Sequence, residues 1–241
     1  MATVRLYVEH PLGSGQSVPL NRDQAHYLFG VMRLGPGGDL ILFNGRDGAW
    51  RAEVAETGKR GGTLACLAQV APQGAPPDLW LLFAPVKKTR TDFIVEKATE
   101  MGARRLLPVQ TDFTNAERVR RDRLQAHAVE AAEQCGATWV PELGDLVPLS
   151  RLLDGWETTR RLIWADEARA GVASDFGAQV TPGAPGAVLI GPEGGFSPAE
   201  RARLTTLDFA APVSLGPRIL RADTAAVAAL TLWQLHAGDW R

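Results

Sequence analysis

The sequence predicts an α/β protein of two domains: a small β-barrel at residues 1–72 and a larger domain with a mostly parallel sheet at 73–241. Short alternating segments dominate the first part of the chain, as in small barrels. Three prolines and a glycine in APQGAPPD at 71–78 then indicate a linker. Beyond it, apolar runs alternate with helical patterns, which is typical of a parallel sheet with helices on both faces.

In the first domain the pattern favours four strands and one helix. The strands are expected at 4–9, 39–45, 49–56 and 62–70, and the helix at 21–33. The turn-rich NGRDG at 44–48 is expected to join two of the strands as a hairpin.

In the second domain five strands and four helices are expected. The strands are predicted at 79–84, 106–109, 161–165, 187–190 and 213–215, and the helices at 91–102, 117–136, 197–207 and 223–236. Ser197 as N-cap and Glu200 form a capping box at the start of the third helix, and Pro198 is its first residue. Asp223 or Thr224 is the expected N-cap of the fourth.

Composition limits the possible classes of protein. Two cysteines without a CxxC spacing and four scattered histidines favour neither a metal site nor a disulfide framework. The longest apolar run, at 79–86, is too short to span a bilayer. The first residues do not have the pattern of an export signal, so a cytoplasmic protein is expected.

Two glycine-containing turns mark a candidate ligand site. IGPEGGF at 190–196 is neither a Walker A loop nor a dinucleotide fingerprint, and alone it is equally a tight strand-to-helix connection. SLGPRILRADTA at 214–225 repeats the arrangement after a neighbouring predicted strand. Two such turns at one sheet edge would line a crevice with backbone groups and apolar side chains, which suits a flat neutral ring such as adenine.

These two motifs also carry a family resemblance. LIGPEGGFSPAE and LGPRILRADTA resemble the SPOUT class of RNA methyltransferases, and within it the enzymes that methylate N3 of a uridine in small-subunit (16S) ribosomal RNA, the RsmE type. HYLFGVMRLGPGGDLILFNGRDGAWRAEV, DFIVEKATEMGARRLLPV and EAAEQCGATWVPEL are similar to further parts of that family, in the same order.

The resemblance implies a PUA-like RNA-binding domain followed by a SPOUT domain with a trefoil knot, and S-adenosylmethionine as the methyl donor. It implies a homodimer, and no metal. The donor-binding residues that it implies are Ile190, Gly191, Pro192, Glu193, Gly194, Gly195, Leu215, Gly216, Pro217, Ile219, Leu220 and Thr224. Gly194 is expected to need the conformational freedom of glycine.

Three residues are candidates for catalysis. N3 of uridine is protonated at neutral pH, so transfer requires alignment and stabilisation of negative charge on the base oxygens. Arg218 and Arg221 are candidates for that charge, and Glu193 for accepting a proton. Structural alternatives stay open: the two arginines pairing with Asp223 or Glu193, and Glu193 stabilising the following helix.

Basic residues suggest where RNA binds. The densest basic stretch lies at 87–123, although a solvated helix face is an equally valid interpretation of charge alone. The candidates for RNA contact are Arg5, Arg22, Arg33, Lys87, Lys88 and Arg90, with Lys59 and Arg60 as secondary ones.

The chain departs from the family pattern in two places. Ala222 and Asp223 stand where the family usually has Thr and Glu, and QTDFTNAER at 110–118 lacks the usual Glu-Arg-Ser or Glu-Arg-Cys. Two alternatives to this function stay open: a SPOUT enzyme for another ribosomal or transfer RNA base, and a non-catalytic RNA-binding factor. Apolar residues on more than one face of the last helix, among them Val227 and Leu232, favour burial on more than one side, either by a second copy or by the N-terminal domain of the same chain.

Overall fold

The computed structural model describes residues 3–58, 60–116 and 118–240, so the candidate Lys59 lies outside the described residues. The chain divides into two compact units. One comprises the residues up to Ala75 together with Ala132–Val140, and the other comprises Pro76–Ala131 and Pro141–Arg241.

The first unit is built on a five-stranded sheet in the order β1-β3-β4-β5-β2. Its elements are β1 Arg5–Tyr7, β2 Ser17–Leu20, α1 Arg22–Ala25, β3 Asp39–Phe43, β4 Ala49–Gly58 and β5 Gly61–Ala71. β3 and β4 pair antiparallel around residues 44–48, which confirms the predicted hairpin. β2 was not predicted because Pro19 argues against a strand; its position at the end of the sheet tolerates the missing N–H.

The predicted helix at 21–33 is shorter than expected. α1 has four residues, and the chain continues as a π-helical segment over His26–Val31. It ends beside Arg33, the described non-glycine residue with a positive φ, 57°. Leu28 is buried with Leu40, Leu42 and Leu64 in the core of this unit.

The second unit contains a seven-stranded sheet in the order β12-β10-β11-β6-β7-β8, with β9 paired to β7. The strands are β6 Leu79–Phe83, β7 Arg105–Gln110, β8 Glu142–Leu143, β9 Val147–Pro148, β10 Arg161–Ala165, β11 Gly186–Ile190 and β12 Ala210–Val213. The helices are α2 Lys88–Glu100, α3 Arg121–Cys135, α4 Leu149–Asp154, α5 Pro198–Thr205 and α6 Ala222–His236. The last residues of α3, from Ala132 on, belong to the first unit. The strand pairs are parallel, so their carboxyl ends lie at one edge.

Two predicted boundaries in this unit are wrong. β12 ends at Val213, so Ser214 and Leu215 already belong to the following loop. α6 begins at Ala222 with Arg221 as its N-cap, so neither Asp223 nor Thr224 caps it. A short polar residue was expected at the cap, whereas the extended backbone of Arg221 starts this helix without a side-chain hydrogen bond.

Other predictions about the second unit are confirmed. Ser197 caps α5, and Glu200 completes the capping box. β11 is buried throughout, and Trp233 of α6 occupies the space that a side chain at Gly186 would need. This packing fixes the end of α6 against the first residue of β11.

Candidate active site

A cavity of about 380 Å³ lies where β10, β11 and β12 end. Open parallel sheets bind ligands in such a crevice outside the carboxyl ends of their strands. The described residues that line it are Arg90, Ala165, Asp166, Glu167, Ala170, Ile190, Gly191, Pro192, Glu193, Gly195, Leu215, Gly216, Arg218, Ile219, Leu220, Arg221, Ala222 and Ala225.

The first wall of the cavity is the loop after β11. The N–H of Gly195 donates to the carbonyl of Pro192 at 3.0 Å, which closes a tight turn. Gly195 has φ 70°, and a Cβ there would overlap the carboxylate of Glu167. Gly195 therefore needs to be glycine for its conformation, and a side chain there would also displace the Glu167 carboxylate.

Gly194 does not have the positive φ that was expected of it. It is not among the described glycines with positive φ, nor among the described residues that line the cavity. A Cβ at this position would lie 3.3 Å from Cβ of Phe113. Gly194 thus accommodates the phenylalanine that covers it.

The second wall is the loop after β12. Gly216 has φ 118°, and its N–H donates to the Ser214 hydroxyl at 3.2 Å. Its carbonyl accepts from the N–H of Gly171 at 3.1 Å, which joins this loop to the segment after β10. Ile219 is 74% exposed, so a large apolar side chain stands at the cavity with little cover from the protein itself.

The third wall is the segment after β10, which neither glycine motif includes. Asp166 and Glu167 follow the strand directly, and this acidic pair at a strand end was the available signal. Asp166 is buried, binds the guanidinium of Arg201 and accepts from the N–H of Ala168 at 3.1 Å. Glu167 is only partly buried and lies 3.5 Å from Arg201, so its carboxylate is the more accessible one.

Arg90 connects the two glycine loops. Its guanidinium binds the carboxylate of Glu193, and its Nε lies 3.8 Å from Asp223. Glu193 and Asp223 are the carboxylates that the sequence suggests as structural partners of Arg218 and Arg221. Arg218 and Arg221 are both exposed. Among the described residues, no carboxylate lies close enough to either guanidinium to form an ion pair.

The structure brings most of the predicted donor-site residues together. Of the twelve, nine line the cavity. Gly194, Pro217 and Thr224 are not among the described residues that line it. The three candidates for catalysis all line the cavity: Arg218, Arg221 and Glu193.

The RNA candidates of the first unit differ in accessibility. Arg5 donates to the carbonyl of Ala137 at 2.8 Å and lies over the ring of Phe43, and burial lowers the pKa of its guanidinium. Arg22 and Arg33 are exposed. Arg22 also borders an open depression of about 600 Å³ with His26 and Phe29.

In the second unit, Lys87 and Lys88 are exposed at the start of α2. Arg90 is partly buried because it binds Glu193. Both lysines thus lie within three residues of Arg90 in the sequence, at the start of the same helix.

Over residues 3–58, 60–116 and 118–240, His, Cys, Asp and Glu side chains form no group of three able to bind a metal ion. Within the same ranges, no helix has the length and apolar content needed to cross a membrane.

Fold and cavity together define an α/β ligand-binding domain with a glycine-lined crevice, preceded in the chain by a β-sheet unit. The sequence profile of the RNA methyltransferase domain family matches residues 74–234, and that of the RNA methyltransferase PUA domain matches residues 20–64. The chain therefore belongs to the RNA methyltransferase family, and the predicted fold, a PUA-like domain before a SPOUT domain, is confirmed.

Relatives with known structures or names agree with this membership. Ribosomal RNA small subunit methyltransferase E of Bacillus subtilis is 31% identical, with 87% of this chain and 86% of that protein covered. The enzyme of the same name from Neisseria gonorrhoeae, crystallised with S-adenosyl methionine, superposes with a TM-score of 0.90 at 25% identity, covering 99% of this chain and 100% of the other. A putative methyltransferase from Legionella pneumophila in complex with the same cofactor gives 0.90 at 26% identity, with 99% and 100% covered.

Proposed function

We propose that the protein transfers a methyl group from S-adenosylmethionine to N3 of a specific uridine in 16S ribosomal RNA. The observation that carries the proposal is the cavity formed by two glycine loops and the Asp166–Glu167 segment in a chain of this family. Relatives over nearly the whole chain are named as methyltransferases of small-subunit ribosomal RNA.

The residues of the cavity fit the proposed donor. Its volume lies within the roughly 300–1,000 Å³ typical of small-molecule sites. Leu215, Ile219 and Leu220 offer apolar contact to a flat adenine ring, and the glycine turns offer backbone groups to its edge. The partly exposed carboxylate of Glu167 is suited to accept hydrogen bonds from ribose hydroxyls.

S-adenosylmethionine supplies an electrophilic methyl group when it is bound. The chain's own task is to orient the uridine edge towards the cavity and to stabilise the negative charge that loss of the N3 proton leaves on O2 and O4. Arg218 and Arg221 are suited to that task because they line the cavity without a carboxylate partner among the described residues. Glu193 binds Arg90, and we assign it to holding the loop rather than to moving the proton.

RNA binding is assigned to two exposed basic groups, one in each unit. Lys87 and Lys88 are suited to phosphate contacts next to the cavity. In the first unit, RNA contacts are assigned to Arg22 and Arg33. The rings of His26 and Phe29, which border the same depression as Arg22, are able to stack on bases. Arg5 is assigned to structure because its guanidinium already bonds Ala137.

We further propose that the protein acts as a homodimer in the cytoplasm, where its ribosomal substrate is assembled. The buried stripe of α6 includes Ala226, Leu230 and Trp233. Val227 and Leu232 are half-buried, and Leu235 is 49% exposed, so the helix has apolar surface that its own unit does not cover.

The function is tested with the purified protein, S-adenosylmethionine and small ribosomal subunits from a strain lacking the modification. Mass mapping of the nucleosides should find one new N3-methyluridine in 16S RNA. A methyl group on another base would favour a different SPOUT specificity. Donor binding in calorimetry without any transfer, or no donor binding, would favour a non-catalytic RNA-binding factor.

A further inference from the structure

Phe113 is an exposed aromatic residue in the short loop that follows β7. Its side chain is 46% exposed, although phenylalanine usually contributes to the core. It lies in the segment 110–118, where the chain departs from the family pattern.

The loop around Phe113 is fixed by hydrogen bonds. The N–H of Thr111 donates to the hydroxyl of Thr114 at 2.9 Å, and the N–H of Thr114 donates back to the carbonyl of Thr111 at 3.1 Å. The N–H of Asp112 donates to Glu200 at 3.0 Å, and the Asp112 carboxylate accepts from the Ser197 hydroxyl. The ring is therefore presented to solvent by an ordered turn that is tied to the start of α5.

The ring also lies beside the donor loop. Cβ of Phe113 is 3.3 Å from the point that a Cβ on Gly194 would occupy, and Gly195, the next residue, lines the cavity. Three neighbouring strands of the sheet are β11, β6 and β7. The carboxyl end of β11 leads to the donor loop, that of β6 to Lys87 and Lys88, and that of β7 to Phe113. Cavity, cationic groups and aromatic ring thus lie along one edge.

We propose that Phe113 binds the substrate RNA by stacking on a nucleobase at the target site. The inference rests on the proposed function. Enzymes that modify a base take it out of the stack and read it against aromatic or apolar side chains. Lys87 and Lys88 supply the charge for the adjoining phosphates, and the carboxylate of Asp112 is directed at Ser197.

The main test compares Phe113→Leu with Phe113→Tyr. Leucine keeps the apolar contact with Gly194 but has no π-face, whereas tyrosine keeps the ring. Phe113→Leu should raise both the KM for unmodified small subunits and the Kd for their 16S RNA about tenfold, or about 1.4 kcal/mol. Phe113→Tyr should restore both to within about threefold, and the affinity for S-adenosylmethionine should stay unchanged in both variants.

Phe93→Leu is the matched control, because Phe93 is 39% exposed on α2 in the same unit. It should leave RNA affinity at the wild-type value. Wild-type KM and Kd in Phe113→Leu would overturn the inference, as would a loss of donor affinity equal to the loss of RNA affinity. Dissociation of an oligomer in Phe113→Leu would instead assign the ring to contact with a second copy.

RNA affinity separates this inference from the proposed function. If the wild-type protein binds 16S RNA without methylating it, the proposed function fails, and the Leu and Tyr affinities still decide the role of Phe113. If the wild-type protein does not bind the RNA, both fail.

Discussion

The guanidinium of Arg90, near the start of α2, binds the carboxylate of Glu193 in the loop after β11. The same guanidinium lies 3.8 Å from Asp223 in the first turn of α6. One side chain therefore connects the first glycine loop to the start of α6, and the shape of the cavity depends on a residue that the sequence suggests for RNA contact.

Arg90→Met should weaken donor binding, because it leaves the carboxylates of Glu193 and Asp223 unpaired beside the cavity. The expected effect is about a fivefold to tenfold rise in Kd, or about 1 to 1.4 kcal/mol, which calorimetry with S-adenosylmethionine measures. Stability should fall by less than about 1 kcal/mol, as is usual for a partly exposed ion pair.

Lys97→Met is the control for Arg90→Met. Lys97 pairs with Glu100 on the same helix at 2.7 Å, away from the cavity. Its loss should leave donor affinity unchanged. Equal Kd values for the two variants would mean that Arg90 does not shape the site.

Gly195→Ala should abolish most donor binding in a folded protein. Alanine at φ 70° costs roughly 1–2 kcal/mol of stability, and its Cβ would displace the carboxylate of Glu167. Donor affinity should fall at least about tenfold, or about 1.4 kcal/mol. Thermal unfolding and calorimetry measure the two effects separately.

Gly183→Ala is the control that separates the effect of backbone conformation on stability from the effect of a side chain on the donor site. Gly183 has φ 74°, and a Cβ there meets nothing within 4 Å. Gly183→Ala should lower the stability of the protein by the same amount as Gly195→Ala and leave donor affinity unchanged. If both variants bind the donor normally, the contact between Gly195 and Glu167 is irrelevant to the cavity.

Regular elements were predictable from the sequence because their signals are local. Apolar runs located the long strands, and the Ser197–Glu200 capping box located α5. β2 could not be predicted because Pro19 disfavours a strand unless the strand lies at a sheet edge, and edges are set by tertiary structure.

The sequence predicts the two glycine loops of the site, but it does not predict the contacts between the residues that form it. The motif gave both glycine turns, yet which glycine has a positive φ follows from the path of the backbone, and it is Gly195 rather than Gly194. Glu167 and Arg90 reach the cavity from segments far away in sequence. Only the parallel sheet, with all its carboxyl ends at one edge, brings them together.

Arg221→Ala should slow methyl transfer while leaving donor affinity nearly unchanged. If the arginine stabilises charge during transfer, the single-turnover rate should fall at least about tenfold, or about 1.4 kcal/mol in transition-state stabilisation. Arg151→Ala removes an exposed arginine on α4 and should be neutral. A normal rate in Arg221→Ala would limit that residue to its backbone role at the start of α6.

Asp78 makes the stability of the second unit sensitive to acid. Burial raises the pKa of its carboxyl, but the hydrogen bond from Arg160, at 2.9 Å, and the charges of Arg160 and Arg104 outweigh this, so the pKa lies below its ordinary 3.8. A depressed pKa in the folded state stabilises the protein above the ordinary value, and this contribution is lost as the pH falls through the folded-state pKa.

Asp78→Asn should therefore destabilise the protein by about 2 kcal/mol near pH 7, since buried Arg160 loses the nearer of its two carboxylate partners and keeps only Glu157, at 3.3 Å. The difference from wild type should shrink towards pH 3. Asp154→Asn, which removes an exposed partner of Arg203, should have little effect at either pH. A difference for Asp78→Asn that is constant from pH 7 to pH 3 would show that the charge of this carboxylate does not matter.

Leu235→Glu should convert the proposed dimer into a monomer. Leu235 is the exposed apolar residue of α6, and a charge there is costly if a second copy covers it. Light scattering should give the mass of two chains for the wild type and of one chain for the variant. Val70→Glu, at a 53% exposed position of β5, is the control and should stay dimeric. A wild-type mass of one chain, in a sample that methylates RNA, would rule out an obligate dimer.

If the dimer holds, mixed dimers show whether one subunit binds the RNA that the other methylates. One parent carries Arg22→Ala with Arg33→Ala, which weakens the proposed RNA contacts of the first unit, and the other carries Gly195→Ala, which blocks the donor cavity. Each parent alone should retain little activity. Because a mixed dimer contains one intact copy of each function, activity near half of the wild-type value is expected if the two functions act across the dimer. Proven mixed dimers without activity would place RNA binding and methyl transfer in the same chain.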